Sequence, residues 1–261
     1  MKKILSAIVV CIILSVGMFG FTGCKLFGTQ NPTPIDYPAI QNQIMASTIR
    51  ACISIEVEFY NTNHLGQKVG LSLIKQGSGV IINESKYSDS NDRYYLALTN
   101  EHVTTASEYA QRSIKAIDYK GNEYTAYFDA AAAAYDLSAI YFTKTTELAV
   151  IQRESANPKI GQEIVSIGRP SGQHNAVTYG KVKNYQVVTL TDSATLSFSS
   201  MVHSAPITVG SSGGPVFNMQ LKLVAINYAG DNSDGLATSN IFSCAIPIEK
   251  VNEFLDTYVW A

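Results

Sequence analysis

From residue 49 onward, apolar residues occur in short runs rather than at helical spacing. These runs are rich in Val, Ile, Tyr and Thr, and clusters of Gly, Asn, Ser and Asp separate them. Short strands that alternate with turn signals are typical of all-β domains. The pattern predicts an all-β barrel or sandwich, with strands over residues 51–60, 69–75, 79–83, 94–99, 137–142, 163–167, 177–182, 185–190, 195–198, 215–217, 221–228 and 241–246.

At the end of the chain, apolar residues recur with a different spacing. Between residues 247 and 260, apolar residues recur at spacings of three and four, at Ile248, Val251, Phe254, Leu255, Tyr258 and Val259. This spacing places them on one face of an α-helix. We expect a closing amphipathic helix over residues 247–260 that packs on the second half of the β domain.

The amino terminus carries a third pattern, in which two lysines precede an apolar stretch over residues 4–21. A basic start followed by such a stretch is typical of an export signal. Residues 21–24 (FTGC) also resemble a bacterial lipobox, whose cysteine receives a diacylglyceryl group. We therefore predict a lipoprotein signal peptide at residues 1–23 and lipidation of Cys24.

A proline-bearing stretch without periodic apolar residues follows. We interpret residues 24–43 as a linker between the lipid anchor and a folded domain at residues 44–261. The domain is then expected outside the cytoplasm, on the cell membrane or in the outer envelope. An uncleaved anchor helix or simple secretion is the alternative, because about 18 apolar residues approach the length that crosses a bilayer.

The composition and net charge of the chain indicate its class of fold and the kinds of molecule that it binds. The 261 residues are 46% hydrophobic and 15% charged, which fits one globular domain with a sizeable core. Loss of the predicted signal peptide removes two of the 19 Lys and Arg residues and none of the 21 Asp and Glu residues, which leaves a net charge of −4. An acidic balance does not attract a phosphate backbone, so we expect no nucleic-acid partner.

Two cysteines, Cys52 and Cys244, lie in the expected domain. A metal site needs several closely spaced ligands, and these two residues are far apart along the chain, so no metal is expected. A disulfide between them is permitted outside the cytoplasm. We favour two separately buried thiols.

Three segments carry residues suited to covalent catalysis. Ser212 lies in a glycine-rich segment at residues 209–215 (VGSSGGP), His102 follows one apolar run, and Asp136 precedes another. A serine hydroxyl is a poor nucleophile at neutral pH and needs an imidazole to accept its proton. A carboxylate on the other ring nitrogen orients that imidazole. We predict Ser212 as the nucleophile, His102 as the base and Asp136 as the orienting carboxylate of a peptide-bond hydrolase.

The glycines beside Ser212 allow an oxyanion hole. The tetrahedral intermediate of acyl transfer carries negative charge on the former carbonyl oxygen and needs preorganised N–H donors. Gly210 can adopt a positive φ without steric cost. We predict that its N–H and the N–H of Ser212 point to one place and form the oxyanion hole, and that the reaction needs no cofactor.

The chain resembles the trypsin-like serine peptidases, most closely the bacterial HtrA/Deg branch, over roughly residues 44–250. The resemblance rests on residues 77–82 (GSGVII), residues 98–103 (LTNEHV), Asp136 with Leu137, and residues 210–215 (GSSGGP). The order His, Asp, Ser matches the chymotrypsin-type order. Ser211 and Glu101 depart from the usual residues of the family at their positions, but neither departure removes a catalytic atom.

The resemblance implies two six-stranded antiparallel barrels packed face to face, followed by a C-terminal helix. The first barrel would span about residues 44–155 and the second about residues 156–246. His102 and Asp136 would come from the first barrel and Ser212 from the second, so that the active site forms in the cleft. Only 49 residues follow Ser212, which leaves no room in this chain for the PDZ domain that many HtrA proteins carry.

In the family, residues just before the oxyanion loop and in the strand after it shape the primary specificity pocket. The corresponding residues here include no acid: Ala205, Pro206, Ile207, Asn227, Tyr228 and Ala229. We therefore expect an apolar P1 residue of small to medium size. Residues 227–230 could also pair with the substrate backbone as an added strand, which would favour extended or unfolded chains.

Some residues compete for these roles. Asp129 lies seven residues before Asp136 and precedes a run of alanines, whereas the apolar run 137–142 after Asp136 matches the strand that follows the triad aspartate in the family, so we prefer Asp136. His64, His174 and His203 lie in loop-like or turn-like contexts without a partner pattern. We interpret these three histidines as incidental.

These features predict an exported, lipid-anchored serine endopeptidase that cleaves protein or peptide substrates through an acyl-enzyme. The alternative is a catalytically silent surface lipoprotein that uses the same fold to bind protein. The oligomeric state stays open.

Overall fold

A computed structural model describes residues 34–86, 92–145, 147–169, 175–189, 196–231 and 242–260. The predicted signal peptide, Cys24, the first part of the predicted linker and His174 lie outside the described residues. Within these ranges, no helix combines the length and the apolar character needed to cross a membrane.

Six antiparallel strands close into the first barrel. They are β1 (Cys52–Thr62), β2 (Lys68–Lys86), β3 (Arg93–Thr99), β4 (Gln111–Ile117), β5 (Glu123–Ala132) and β6 (Leu137–Lys144). The order around the barrel is β1-β2-β3-β6-β5-β4. A short helix, α2 (Glu101–Thr104), follows β3.

Six further antiparallel strands close into the second barrel. They are β7 (Glu163–Gly168), β8 (Ala176–Gln186), β9 (Ser200–His203), β10 (Pro215–Asn218), β11 (Leu223–Asp231) and β12 (Phe242–Pro247). The order around this barrel is β10-β11-β12-β9-β8-β7. Together with a C-terminal helix, α3 (Ile248–Tyr258), the two closed barrels confirm the predicted all-β class and trypsin-like architecture.

Large aromatic side chains fill the first barrel. Phe59, Tyr95 and Phe142 are buried, and the rings of Tyr95 and Phe142 stack with their centroids 5.6 Å apart. Burial of such rings removes a large apolar area from water and dominates core energetics. In the second barrel, smaller aliphatic residues form a separate cluster, which includes Ile164, Val182, Met201, Val216 and Ala245.

The sequence pattern divided β2 incorrectly. Residues 69–75 and 79–83 were expected as two strands, but they belong to one continuous strand, Lys68–Lys86. Gly77 and Gly79 between them are required by close packing rather than by a turn. A Cβ on Gly77 would lie 2.9 Å from Val103 Cγ2, and a Cβ on Gly79 would lie 2.8 Å from Ile55 Cδ1.

Four other strands differ from the expectation. β8 is one continuous strand, Ala176–Gln186, where residues 177–182 and 185–190 were expected as two strands. β4 and β5 have no counterpart among the expected strands, because their outward positions are polar and few of their residues are buried. The strand expected at residues 195–198 is instead β9, Ser200–His203, which pairs with β8 and β12. Short strands with mixed polar faces leave little periodicity in a sequence.

Helix α1 (Tyr37–Ala46) overlaps the linker that the sequence predicted over residues 24–43. Its Ile44 is fully buried, and the ring of Tyr37 contacts the ring of Tyr179 with a centroid distance of 5.3 Å. The hydroxyl of Tyr179 also donates to Gln41 Oε1 at 2.6 Å. The last seven residues of the predicted linker, 37–43, therefore lie in a helix that packs on the second barrel.

Helix α3 confirms the amphipathic pattern of the chain terminus. Ile248, Val251, Phe254 and Leu255 are buried. The expectation was packing on the second barrel, and the ring of Phe254 also lies 6.2 Å from the ring of Tyr135, in the turn after β5. The helix therefore contacts both barrels next to Asp136.

Both domain cysteines are free and buried. Cys52 lies at the start of β1, where its thiol donates weakly to the carbonyl of Thr48 at 3.6 Å. Cys244 lies in β12. The preference for separate thiols is confirmed.

Candidate active site

His102 lies at the end of the first barrel, in α2. Its neighbours Val103 and Thr104 are buried, whereas 45% of the His102 side chain is exposed. Lys75 Nζ donates to the carbonyl of His102 at 2.8 Å, and a cation at a helix C-terminus stabilises the helix. This local structure holds α2 in place and leaves the imidazole facing outward.

Asp136 occupies the turn between β5 and β6, with a φ of +50°. Its Oδ2 and Oδ1 lie 2.9 Å and 3.0 Å from His102 Nδ1, and Oδ1 also accepts the backbone N–H of His102 at 3.0 Å. Asn100 Nδ2 donates to the carbonyl of Asp136 at 2.8 Å. A carboxylate on Nδ1 keeps the proton on that nitrogen, so that Nε2 can act as an acceptor.

Hydrogen bonds hold the peptides of the glycine-rich loop in fixed orientations. The N–H of Ser211 donates to the carbonyl of Thr208 at 2.9 Å, and the carbonyl of Ser211 accepts the N–H of Gly214 at 2.9 Å. Gly210 has a φ of +92°, which glycine adopts without a Cβ penalty. In the part of the chain that the structure describes, the N–H groups of Gly210 and Ser212 have no protein acceptor.

Gly213 lets the loop of the second barrel contact the first barrel. Its φ is +82°, and a Cβ there would lie 2.1 Å from the carbonyl oxygen of Ser78 and 2.3 Å from Thr99 Oγ1. Its N–H donates to the carbonyl of Asn227 at 2.8 Å. A side chain at this position would therefore displace Ser212 from the groove.

A groove of about 520 Å³ contains His102, Asp136 and Ser212. Ser212 Oγ donates to the carbonyl of Tyr228 at 3.5 Å rather than to the imidazole of His102. The structure therefore joins His102 to Asp136 directly and places Ser212 in the same groove without a hydrogen bond to His102. Catalytic hydrogen bonds are often loose before substrate binds. The groove is also lined by Lys75, Gln76, Glu101, Val103, Ala133, Val209, Gly210 and Tyr228.

Asp129, the competing carboxylate, lies away from this groove. It belongs to β5 and lines a separate cavity of about 390 Å³ together with Tyr94 and Tyr141. Burial raises the pKa of its carboxyl group. Of the two aspartates, Asp136 is the one that contacts His102.

The predicted specificity pocket is reproduced only in part. Tyr228 lines the described groove, and its buried hydroxyl lies 2.8 Å from Ser200 Oγ. The carboxamide of Asn227 points into the barrel, where it donates to Ser166 Oγ at 2.8 Å. In the described part of the groove, five of the six predicted residues are not lining residues: Ala205, Pro206, Ile207, Asn227 and Ala229.

The interpretation of His203 as an incidental loop residue was wrong. His203 belongs to β9, is fully buried, and places Nε2 2.9 Å from Asn227 Oδ1. Burial lowers its pKa to about 4, so the ring is neutral at pH 7. The only local signal was the apolar pair Met201 and Val202 before it. The structure places His64 in an exposed turn.

The sequence profile of the trypsin-like peptidase domain matches residues 77–226 of this chain, a span that includes His102, Asp136 and Ser212. This chain belongs to the trypsin-like peptidase family. The resemblance inferred from the four motifs is confirmed.

Curated relatives are named as HtrA-type serine proteases. The chain is 28% identical over 212 residues to Serine protease HTRA3 of Rattus norvegicus, across 78% of this chain and 41% of the relative. It is 29% identical over 188 residues to a Probable periplasmic serine endoprotease DegP-like of Buchnera aphidicola, across 67% and 35%. It is 30% identical over 156 residues to Serine protease Do-like HtrA of Bacillus subtilis, across 58% and 32%. The chain therefore spans less than half the length of each.

Proposed function

We propose that this chain is a serine endopeptidase. Ser212 is the nucleophile, His102 the general base, Asp136 the orienting carboxylate, and the N–H groups of Gly210 and Ser212 form the oxyanion hole. The main support is the bonded His102–Asp136 pair, which shares a groove with Ser212 and with two N–H groups that have no protein acceptor among the described residues.

The reaction proceeds through an acyl-enzyme. The Ser212 hydroxyl leaves the carbonyl of Tyr228 by rotation about its Cα–Cβ bond and donates to His102 Nε2. Oγ then forms a bond to the substrate carbonyl carbon while its proton moves to Nε2, and the two N–H groups stabilise the oxyanion. Collapse breaks the peptide bond, and the imidazolium returns the proton to the leaving amine. Water repeats the sequence and releases Ser212.

We propose that substrates bind in an extended conformation. In β11, the carbonyl of Asn227 accepts the N–H of Gly213, and the N–H of Asn227 donates to the carbonyl of Gly214 in the glycine-rich loop. From residue 229 to residue 231, β11 pairs with β12 alone among the described residues, so its other edge has no partner strand there and could pair with a substrate strand. The residues that the family resemblance assigns to the primary specificity pocket include no acid, which supports a preference for an apolar P1 residue.

Labelling with a fluorophosphonate probe tests the proposal. The purified chain should react with the probe and cleave casein, whereas Ser212→Ala should do neither while keeping its circular dichroism spectrum. His102→Ala should lose both reactions as well, because the hydroxyl then has no base. A folded wild-type chain that neither reacts nor cleaves would favour the alternative, a protein-binding lipoprotein.

We also propose that the protein is exported and anchored by lipid at Cys24. The basic start, the apolar run and the FTGC segment support this part. Expression of the full chain in bacteria fed with labelled palmitate tests it. The chain should incorporate label and fractionate with membranes, and Cys24→Ser should do neither. Label retained by Cys24→Ser would contradict lipidation at this position.

A further inference from the structure

We propose that Ser78, in β2 of the first barrel, is a positioning residue for the oxyanion hole in the second barrel. The inference rests on the proposed function. Ser78 belongs to the GSG segment at residues 77–79, to which the proposed reaction assigns no role. Its hydroxyl and its backbone bind both sides of the catalytic serine.

The side chain of Ser78 connects two separate segments of the second barrel. Its Oγ donates to the carbonyl of Gly210 at 2.8 Å and accepts the N–H of Arg169 at 2.9 Å. Ser78 is 1% exposed. The single hydroxyl proton is therefore committed to Gly210, and water does not replace it readily.

The backbone of Ser78 makes a second pair of bonds. Its N–H donates to the carbonyl of Ser212 at 2.7 Å, and its carbonyl accepts the hydroxyl of Thr99 at 2.8 Å. The pairing of Ser78 with Ser54 on β1 fixes the position of this backbone. Ser78 is thus held rigidly in the first barrel while it binds the loop of the second.

These bonds determine the direction in which the free N–H groups point. The peptide between Gly210 and Ser211 is held at its carbonyl by Ser78 and at its N–H by Thr208. The peptide after Ser212 is held at its carbonyl by Ser78 and at its N–H by the carbonyl of Asn227. The N–H of Gly210 lies in the peptide just before the first fixed peptide, and the N–H of Ser212 lies in the peptide between the two; among the described residues neither has a protein acceptor, and both are left for the oxyanion.

Removal of the Ser78 hydroxyl frees one end of the peptide between Gly210 and Ser211. Gly210 tolerates a wide range of backbone angles, so nothing in its own chemistry keeps its N–H in the productive direction. A donor that is misdirected costs transition-state stabilisation and affects substrate binding much less. The backbone bond from Ser78 to Ser212 is unaffected by the change of side chain.

The experiment compares wild-type chain, Ser78→Ala and Ser243→Ala on one peptide substrate. Loss of an oxyanion donor typically costs 10²–10³-fold in kcat, and a misdirected donor should cost less. We expect a fall of about 10- to 100-fold in kcat for Ser78→Ala with KM changed less than about threefold. Ser243 is an equally buried serine whose Oγ donates to the carbonyl of Ala205 at 2.8 Å, and Ser243→Ala should keep wild-type kcat.

A second pair of variants separates the hydroxyl from simple packing. Ser78→Thr and Ser78→Val have nearly the same shape, but only the threonine keeps a hydroxyl. Ser78→Thr should retain a kcat at least about fivefold higher than that of Ser78→Val, even if both are less stable than wild type. This comparison also applies if Ser78→Ala fails to fold.

Two results would overturn the inference: wild-type kcat in Ser78→Ala, or equal kcat in the threonine and valine variants. An equal loss of kcat in Ser243→Ala would do the same, since it would show a general effect of buried serines. Ser212→Ala is measured in parallel. If the unsubstituted chain has no hydrolysis that depends on Ser212, the proposed function fails instead.

Discussion

In the part of the chain that the structure describes, each barrel contains one histidine that is hydrogen-bonded to a side-chain oxygen, and the surroundings of these two histidines are opposite. In the first barrel, His102 is 45% exposed and bonded to the carboxylate of Asp136 at 2.9 Å. In the second barrel, His203 is fully buried and bonded to the carboxamide of Asn227 at 2.9 Å. The two histidines differ in the charge of the side chain that they bond to and in their exposure to solvent, although the two hydrogen bonds have the same length.

The difference explains which imidazole can transfer a proton. In the proposed function, the carboxylate stabilises the imidazolium that forms when His102 accepts a proton, and His102 lines the groove. A neutral carboxamide gives no such stabilisation, and burial lowers the pKa of His203 to about 4. His203 instead holds Asn227, whose backbone bonds to Gly213 and Gly214 of the glycine-rich loop. In the proposed function, His102 transfers the proton, and His203 supports the glycine-rich loop.

The largest expected effect on kcat comes from giving His102 a neutral carboxamide partner, as His203 has. Asp136→Asn replaces the carboxylate by a carboxamide, whose NH₂ can donate to Nδ1 and leave the proton on Nε2. That tautomer cannot accept the Ser212 proton, so kcat should fall by roughly 10³- to 10⁴-fold. Steady-state hydrolysis of a peptide substrate, with the melting temperature measured alongside, checks this.

Asp129→Asn is the matched control for this prediction. It makes the same chemical change in β5, at a carboxylate that does not contact His102. Its kcat should stay within about twofold of wild type. A kcat near wild type in Asp136→Asn, or a large loss in Asp129→Asn, would show that the wrong aspartate has been assigned.

The second expected effect is on stability. His203→Ala leaves Asn227 Oδ1 without its donor and opens a cavity in the second barrel. A buried unsatisfied acceptor and a cavity together should lower the free energy of unfolding by roughly 2–5 kcal/mol. His203→Gln keeps an N–H donor and should lose less. Urea denaturation measures both, and equal stability of His203→Ala and wild type would contradict the role of His203 as a support.

The smallest expected effect is the change in the free energy of unfolding with pH that comes from His203. The pKa of His203 is about 4 in the folded chain and 6.5 ordinarily, so the unfolded chain binds the proton more readily between these values. The stability that comes from the neutral His203 is fully present above pH 6.5 and is lost as the pH falls toward 4, by on the order of 3 kcal/mol. In His203→Gln, the free energy of unfolding should fall less steeply over this range than in wild type. Identical slopes would refute this prediction.

The fold was predictable where a run of apolar residues coincides with a strand. β1, β3, β6 and β12 match the expected runs within two residues at each end. β4 and β5 were not predicted, because their exposed positions carry charged and polar residues. Helix α1 was not predicted either, since its Ile44 is the only one of its residues that is fully buried. An element with few buried apolar residues shows only a weak periodic pattern in the sequence.

The sequence alone determined the reactive residue types, their order, and the strand and helix patterns that carry them. Serine, histidine, aspartate and the flanking glycines are recognisable because each step of the chemistry requires that residue type. Only the tertiary structure decided which aspartate contacts His102, why Gly213 cannot carry a side chain, and that Ser78 and His203 hold the catalytic loop. These contacts join residues far apart along the chain, and hydrogen bonds depend on distances and angles that only the closed barrels define.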